Sequence, residues 1–242
     1  DISFKTGKRI VEMVFENLTP SKIMTKEAFE NAVYVASAIG ASSNCPPHLT
    51  AIARHMGIDF NLDQWEKLGH RIPLLANCQP AGEHLMEGFF KAGGIPAIMK
   101  ELIKDKKLNI KALTVTGKTI EENLNMKIDV NRDVIKSYEN PLSHNAGFIV
   151  MKSNFFSSAV MKTSVISSEF RERYLSNKDS LNIFEVKAVV FEGPEDYHTR
   201  INDDNLKIDE NSILIIRGCG PVGYPGSAEV VNMQPPDKLL KK

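Results

Sequence analysis

A glycine pattern in the last quarter of the sequence matches a familiar nucleotide-binding motif. Gly218, Gly220 and Gly223 have the G-x-G-x-x-G spacing, and they follow an apolar run that is typical of a strand. In dinucleotide-binding domains this turn precedes a helix whose first N–H groups face the phosphates. Pro221 and Pro225 lack such N–H groups, and the chain ends before a further strand could complete the unit. Nucleotide-dependent oxidoreduction is therefore kept only as a rival interpretation.

The same glycine- and proline-rich segment, residues 217–231, can instead be a loop that brings its backbone close to a ligand. It presents one carboxylate near its end, Glu229. A hard cation such as Mg²⁺ binds a few protein oxygens and keeps water and substrate oxygens in its remaining positions. Glu229 is thus a candidate Mg²⁺ ligand, although its spacing alone favours an ordinary exposed glutamate in a surface turn.

The histidines do not show the spacing of a metal site. Two of them are seven residues apart, so on one helix they would share a side but lie two turns apart. The others are far from one another in the sequence. The spacing of the histidines therefore does not support a zinc site. The six histidines are His48, His55, His70, His84, His144 and His198.

Lys162 and Ser164 are the remaining candidates for chemistry. Alternate residues of a strand lie on one face, so a strand through this segment would bring a serine and a lysine together. A serine nucleophile needs a base that activates it, and the sequence identifies none here. Polar ends of a buried strand are the favoured interpretation.

Composition limits the classes of partner. Lysine plus arginine and aspartate plus glutamate number 30 each, and like charges do not form long runs. This balance favours neither nucleic acid nor a membrane surface as a partner, so small polar substrates remain open. The apolar runs are far shorter than the ~20 residues of a membrane-spanning helix, and the N-terminus lacks the layout of a signal peptide. We expect a soluble protein of the cytoplasm or of an organelle matrix.

The cysteines do not suggest a bonded or metal-bound set. Cys45, Cys78 and Cys219 are odd in number and contain no C-x-x-C pair. This pattern argues against a disulfide framework and against a zinc knuckle. We expect each of them to be a buried or partly buried free thiol.

The first half of the sequence has the periodicity of helices. Apolar residues at a spacing of three to four predict one helix that stops at Gly40 and another that stops at Gly57. Between them, the polar residues 42–44 can cap the second helix, and Pro46 and Pro47 suit its first turn. The other predicted features are helices at about 82–91 and 96–105 and a capping box at Thr119-Ile-Glu-Glu122.

After about residue 128 the pattern changes to short β-branched runs bounded by Asn, Ser, Gly and Pro, which predict core strands of a sheet or barrel. Two polar stretches lie between these runs. Residues 167–181 fit a helical or irregular surface excursion, and residues 196–211 are predicted to be rich in loops. The predicted strands are 148–152, 159–163, 187–191 and 213–217.

Several blocks of residues along the chain match, in the same order, the sequence blocks of one known protein family. They are Gly40-Ala-Ser-Ser-Asn44, His48-Leu-Thr-Ala-Ile-Ala-Arg54, Arg71-Ile-Pro-Leu-Leu-Ala-Asn77, Ala92-Gly-Gly-Ile-Pro-Ala97, Leu113-Thr-Val-Thr-Gly-Lys118, Val160-Met-Lys-Thr-Ser164, Glu169-Phe-Arg-Glu-Arg-Tyr174, Phe191-Glu-Gly-Pro194 and Gly223-Tyr-Pro-Gly-Ser-Ala-Glu229. Together they resemble the dihydroxy-acid dehydratase and phosphogluconate dehydratase family. The last block and the one at Glu169 are most similar to its sugar-acid branch, which dehydrates aldonates such as arabinonate or xylonate.

The resemblance implies an α/β fold in two parts. Residues 1–128 would be the helical C-terminal part of an N-terminal, cluster-binding α/β domain, and residues 129–242 an incomplete β-barrel-like C-terminal domain. By the family pattern Glu229 matches a glutamate that ligates Mg²⁺. We expect the cluster cysteines before Asp1 and the serine base beyond Lys242, so no residue of this chain is expected to be catalytic or to bind the cluster.

The resemblance also implies a hydro-lyase that removes water from a 2,3-dihydroxy sugar acid and yields a 2-keto-3-deoxy acid. Its cofactors would be an iron–sulfur cluster, as Lewis acid, and Mg²⁺. Its partners would be a small sugar acid and copies of itself, in a dimer or tetramer, with neither nucleic acid nor a membrane. The alternatives are a truncated, catalytically inactive chain and a branched-chain dihydroxy-acid dehydratase. We expect the chain alone to be inactive.

One residue departs from the family loop. Ala41 stands where the family has the second glycine of Gly-Gly-Ser-Thr-Asn. If that position needs a positive φ, an alanine there has a backbone cost that glycine lacks.

Overall fold

The structure is a computed structural model that describes residues 1–154, 156–176, 185–219 and 233–240. These residues contain both helices and strands, in agreement with the predicted α/β class. The chain divides into two compact units, Asp1–Ile166 and Ser167–Lys242, and each contains a buried core of its own. The predicted boundary at residue 128 concerns the domains of a longer protein, and it stays a prediction.

The first unit is mostly helical. The predicted capping box is present, because Thr119 Oγ1 accepts from the backbone N–H of Glu122 at 3.3 Å and the Glu122 carboxylate accepts from the Thr119 N–H at 2.7 Å. The elements of this unit are α1 (Ile2–Phe15), α2 (Pro20–Ile23), α3 (Lys26–Ala38), α4 (Cys45–His55), α5 (Leu62–Gly69), α6 (Met86–Lys91), α7 (Gly94–Lys104), α8 (Ile120–Leu124), β1 (Phe148–Met151), β2 (Ala159–Lys162) and a 3-10 turn (Thr163–Val165). The helices predicted at about 82–91 and 96–105 correspond to α6 and α7.

Glycine ends α3 and α4, as the sequence predicts. Gly40 has a φ of +60°, and its N–H donates to the carbonyl of Ser37 at 3.1 Å. The next N–H, of Ala41, donates to the carbonyl of Ala36 at 2.8 Å. These two bonds form a Schellman motif, which satisfies carbonyls that the last turn leaves unpaired. Gly57 ends α4 by the same pair of bonds, with a φ of +72°.

Helix α3 contributes side chains to two hydrophobic cores of the first unit. In the aromatic core, the Trp65 ring packs edge-on against the rings of Phe60 and Phe148, with centroids 6.5 and 5.3 Å apart. Val33 of α3 is fully buried in this core. The second core combines Ala38 of α3 with apolar side chains of α6, α7 and later segments, among them Phe89, Ile98, Leu102 and Ile135. Burying each large apolar side chain contributes about 1.5–3 kcal/mol.

Residues 72–78 cross the first unit as an extended, buried segment. The Leu75 N–H donates to the carbonyl of Ala38 at 2.7 Å, which fixes the segment to the end of α3. On its other side, Ala76 pairs with Ile135 in an antiparallel bridge. The segment therefore joins the end of α3 to residues that lie far downstream in the sequence.

The strands β1 and β2 form an antiparallel pair in which Phe148 lies opposite Lys162 and Met151 opposite Ala159. Both strands lie within the predicted ranges. β2 ends at Lys162 because Thr163 begins a 3-10 turn, in which the alternation of side chains across a strand no longer applies.

The second unit contains a parallel pair of strands with a helix between them. Its elements are α9 (Ser168–Tyr174), β3 (Lys187–Phe191), α10 (Pro194–Arg200), a 3-10 turn (Asp204–Leu206), β4 (Ser212–Ile216) and α11 (Asp237–Leu240). β3 pairs with β4 in parallel, so α10 is the crossover connection that a parallel pair requires. In the described part of this unit, a small hydrophobic core contains five buried side chains, Val189, Phe191, Tyr197, Ile201 and Ile208.

The stretch 196–211, predicted to be rich in loops, begins within a helix, because α10 extends to Arg200. Pro194 occupies the first turn, where its missing N–H has no cost. Asp196 and Arg200 form an ion pair one turn apart, and the Tyr197 ring packs edge-on against Phe191 at 5.4 Å. Tertiary packing of the tyrosine therefore fixes a short helix in a sequence whose polarity is typical of a loop.

The predicted barrel-like domain stays a prediction. Within the described ranges the strands form two separate two-stranded sheets, and these do not close into a barrel. In the same parts of the chain, none of the helices is long and apolar enough to cross a membrane.

Candidate functional site

The loop 40–44 connects α3 to α4 and exposes polar side chains. Ser42 closes it, because its Oγ accepts from the Asn44 N–H at 3.2 Å and its carbonyl accepts from the Cys45 N–H at 3.0 Å. Ser42, Ser43 and Asn44 are all exposed to solvent. The loop therefore presents two hydroxyls and an amide at the beginning of α4.

The prediction that residues 42–44 cap α4 through a side chain is wrong. Asn44 is the N-cap residue, but its φ of −70° and ψ of −23° are helical, and its side chain makes no cap hydrogen bond. A side-chain cap normally needs extended backbone angles at this position. Pro46 and Pro47 do lie in the first turn, as predicted.

Ala41 does not carry the backbone cost that its departure from the family loop suggested. Positive φ values occur at four non-glycine residues of the described chain, and Ala41 is not among them. The left-handed residue of this loop is Gly40. Glycine is therefore retained at the one position where the loop needs it.

Lys162 reaches this loop from the end of β2. Opposed residues of an antiparallel pair project from the same face, so its side chain leaves the sheet on the side of Phe148 and the aromatic core. Cys45, the first residue of α4, packs against the same core. Lys162 is partly buried there, and its ammonium interacts electrostatically with the Cys45 thiol.

Ser164 lies at the other end of the loop. A methyl group built on Gly40 would be 3.2 Å from Ser164 Oγ and 3.0 Å from Leu74 Cδ1, so the serine contacts the turn directly. Thr163 fixes this position, because it is buried and its hydroxyl donates to the carbonyl of Gly147 at 2.6 Å. Lys162 and Ser164 thus face the two ends of one five-residue loop.

The pKa values of the two ionisable groups of the site, Cys45 and Lys162, are shifted in opposite directions. Burial raises the pKa of the Cys45 thiol, and the Lys162 ammonium only partly opposes this effect. Burial lowers the pKa of Lys162, and interaction with Cys45 partly opposes that. A thiol whose pKa is raised stays protonated at neutral pH, so Cys45 is not an activated nucleophile.

Lys162 and Ser164 do not form a nucleophilic pair. Ser164 Oγ is buried and has no hydrogen-bond partner, and Lys162 Nζ has neither a hydrogen bond nor an ion pair, within the residues that the structure describes. Because the amine does not contact the hydroxyl, it cannot serve as its base.

Glu229, the predicted Mg²⁺ ligand, lies outside the described residues, as do Gly220 and Gly223 of the glycine motif. Gly218 is described and has a φ of +69°. It follows β4 as the sequence predicts. The structure therefore leaves the role of Glu229 as a prediction.

The cysteines are free thiols, as predicted, with Cys78 buried and the other two partly buried. Burial is the main reason that the pKa of each of the three thiols is raised. In the described ranges, no three His, Cys, Asp or Glu side chains are grouped as a metal site. These residues do not fit an iron–sulfur cluster.

Sequence reasoning did not predict that Lys162 lies near Cys45 or that β2 meets the loop. The usable signal was the resemblance itself, which included both the loop block and the Val160–Ser164 block, but their separation of more than 100 residues gave no indication that they are neighbours. The interpretation of Lys162 as the polar end of a buried strand is correct in that Lys162 ends β2, but all four residues of that strand are only partly buried.

Two family models match the chain. Residues 1–123 match the N-terminal domain of dihydroxy-acid/6-phosphogluconate dehydratases, and residues 133–242 match the C-terminal domain of the same proteins. The gap between the two matches includes the boundary that the sequence predicts at residue 128.

Similar proteins include two sugar-acid dehydratases. The chain is 52% identical to the D-xylonate dehydratase of Caulobacter vibrioides over 241 residues, which are 100% of this chain and 40% of the relative. It is 45% identical to the L-arabinonate dehydratase of Rhizobium leguminosarum, over 98% of this chain and 39% of the relative. The chain is 37% identical to the dihydroxy-acid dehydratase of Acetivibrio thermocellus, over 94% of this chain and 39% of the relative. The chain spans about 40% of the length of these curated relatives.

Proposed function

Because this chain belongs to the dihydroxy-acid/6-phosphogluconate dehydratase family, we propose that it is part of a hydro-lyase that dehydrates a sugar acid. The observation that carries the proposal is the higher identity to the two sugar-acid dehydratases, 52% and 45%, than to the dihydroxy-acid dehydratase, 37%. The matches cover nearly the whole chain, so the similarity is not limited to one motif.

The reaction removes the C2 proton and the C3 hydroxyl of a 2,3-dihydroxy acid as one water. The resulting enol takes up a proton at C3 and becomes a 2-keto-3-deoxy acid. Negative charge develops on the C2 side when the proton leaves, so a cation near the carboxylate and the C2 oxygen lowers the barrier. Mg²⁺ supplies such a charge when it is bound, and Glu229 is the residue of this chain that we propose as its ligand.

The remaining features are proposed for a longer protein that contains this chain. We assign the iron–sulfur cluster to residues other than the cysteines described here, because those thiols do not fit it. The β-branched strands support a barrel-like second domain from about residue 129, completed outside the described strands. The homo-oligomeric assembly and the cytoplasmic or organelle-matrix location stay predictions.

The experiment that tests this function uses an enzyme that contains this chain and has the length of its relatives. Keto-acid formation is measured with D-xylonate, with L-arabinonate and with a branched-chain 2,3-dihydroxy acid. We expect at least one aldonate to be the better substrate by kcat/KM. A higher kcat/KM for the branched-chain acid would assign the protein to the other branch, and no keto acid from any of them would disprove the proposal. The 242-residue chain alone should form none.

A further inference from the structure

The Lys162 side chain is partly buried at the end of the β1–β2 hairpin, which is an unusual position for a lysine. It projects from the end of β2 on the face that carries Phe148, whose ring is almost completely buried. Lys152, just beyond β1, shows the ordinary arrangement, because its side chain is 64% exposed and it pairs with Asp63 at 3.1 Å. The two lysines of one hairpin thus differ in exposure and in pairing.

An ammonium that is partly withdrawn from water and lacks an anionic partner is unfavourable by itself. Within the described ranges, Lys162 has no carboxylate within ion-pairing distance, and its ionisable neighbour, the Cys45 thiol, is protonated and uncharged at neutral pH. An anionic ligand would supply the missing counter-charge. The half-burial of Lys162 strengthens such an interaction, since the effective dielectric constant is lower than in water.

The groups around Lys162 indicate which kind of anion fits. The loop 40–44 exposes the hydroxyls of Ser42 and Ser43 and the amide of Asn44 beside the first turn of α4. These groups can donate to and accept from hydroxyl groups, whereas the ammonium can only donate. The combination matches a small carboxylate that also bears several hydroxyls.

We propose that Lys162 binds the carboxylate of the acid substrate, while the loop 40–44 lies beside the hydroxyl groups of the same molecule. This inference rests on the proposed function for the identity of the acid, an aldonate. A carboxylate has two oxygens with several lone pairs, so it can contact an ammonium and a cation at the same time. Lys162 would thereby select acids over the corresponding neutral sugars and alcohols.

The first test needs no substitution. In the wild-type enzyme of full length, the reactivity of each lysine toward an amine-acylating reagent is measured by mass spectrometry, alone and with D-xylonate, xylitol or inorganic phosphate. We expect D-xylonate to slow the labelling of Lys162 several-fold and to leave Lys152 unchanged. Xylitol, which has the hydroxyls without the carboxylate, should protect little. Equal protection by phosphate, or none by D-xylonate, would overturn the assignment.

The second test uses Lys162→Met, Lys162→Arg and the matched control Lys152→Met. We expect Lys162→Met to raise the KM for the aldonate about tenfold or more, Lys162→Arg to raise it less, and Lys152→Met to leave it within about twofold. A KM that is unchanged in Lys162→Met while turnover is normal would reject the site and leave the proposed function intact. Protection of Lys162 by D-xylonate without keto-acid formation would reject the function and leave the site intact.

Discussion

Gly40 has two requirements that only glycine meets together. Its φ of +60° ends α3, and its missing side chain makes room for Leu74 and Ser164. The sequence predicted the first requirement, because a glycine follows an apolar helical pattern. The second could not be predicted, since Leu74 and Ser164 approach from segments that are distant in the sequence. The backbone turn of the loop and the packing beneath it therefore depend on the same residue.

The two helix-ending glycines allow the two requirements to be separated. Gly57→Ala meets open space within 4 Å, so we expect a loss of only about 1–2 kcal/mol in the free energy of unfolding, from its positive φ. Gly40→Ala has the same backbone cost plus contacts at 3.0 and 3.2 Å, so it should lose about 1–3 kcal/mol more. Urea unfolding of both variants measures the difference. Equal losses would show that Leu74 and Ser164 adjust freely.

Glu229 is the residue on which the proposed metal chemistry of this chain depends. In an enzyme of full length, Glu229→Gln preserves size and removes the charge. Because Mg²⁺ binds anionic oxygens in preference to an amide, we expect weaker Mg²⁺ affinity and lower turnover with an unchanged iron content. Kinetics over a Mg²⁺ titration measure this. A solvated surface glutamate would instead give a change of at most ~0.5 kcal/mol in stability and normal activity.

At the scale of helices and strands, local sequence signals were sufficient to predict where an element begins or ends when the residues that decide this are close together in the sequence. The glycine stops of α3 and α4 and the capping box of α8 are such cases, and all three are present. The signals failed where a distant contact decides. The Tyr197 hydroxyl of α10 donates to the carbonyl of Gln234, 37 residues later, and the segment 72–78 is buried because it pairs with residues on both sides. The approach of β2 to the loop before α4 belongs to the same class.

A buried carboxylate links α7 to the segment that follows it. Glu101 is only 2% exposed, and it accepts from Lys104 at 3.0 Å, from Arg132 at 2.8 Å and from the Tyr138 N–H at 3.2 Å. Burial acts to raise the pKa of Glu101, but these hydrogen bonds outweigh it and the pKa is lowered from its ordinary value of 4.5. The ionised form therefore stabilises the folded chain.

This gives a pH dependence with a definite sign. A carboxyl whose folded pKa is lowered stabilises the fold above its unfolded pKa, and that stability is lost as pH falls through the folded value. We expect Glu101→Gln to lose about 2 kcal/mol at neutral pH and to flatten the fall in unfolding free energy below about pH 5. The control is Glu87→Gln, whose exposed pair with Lys91 should contribute little. Identical pH profiles for wild type and Glu101→Gln would contradict the argument.

At the scale of the whole molecule, the chain consists of two units of unequal core size. The first has two hydrophobic cores, and the second has one with five buried side chains in its described residues. A chain that buries little apolar surface folds marginally by itself. Sequence patterns indicate a change from helices to strands near residue 128. The first compact unit nevertheless extends to Ile166, because β1 and β2 pack with the preceding helices.

Separate production of the two units tests this inequality. We expect residues 1–166 to unfold in one cooperative thermal transition, followed by circular dichroism, and residues 167–242 to show a weak or absent transition. The wild-type chain of 242 residues is the reference for both. A sharper or higher transition for the shorter piece would show that the buried side chains described here do not determine its stability.

The buried segment 72–78 also has a consequence during synthesis. The Asn77 side chain donates to the carbonyl of Asp133, 56 residues later, and Ala76 pairs with Ile135. At translation rates of roughly 5–20 residues per second, this apolar segment leaves the ribosome several seconds before those partners exist. During that interval its backbone and its leucines are open to other nascent chains. Slower elongation lengthens this interval. The yield of correctly folded protein should therefore fall when translation is slowed, unless a chaperone covers the segment.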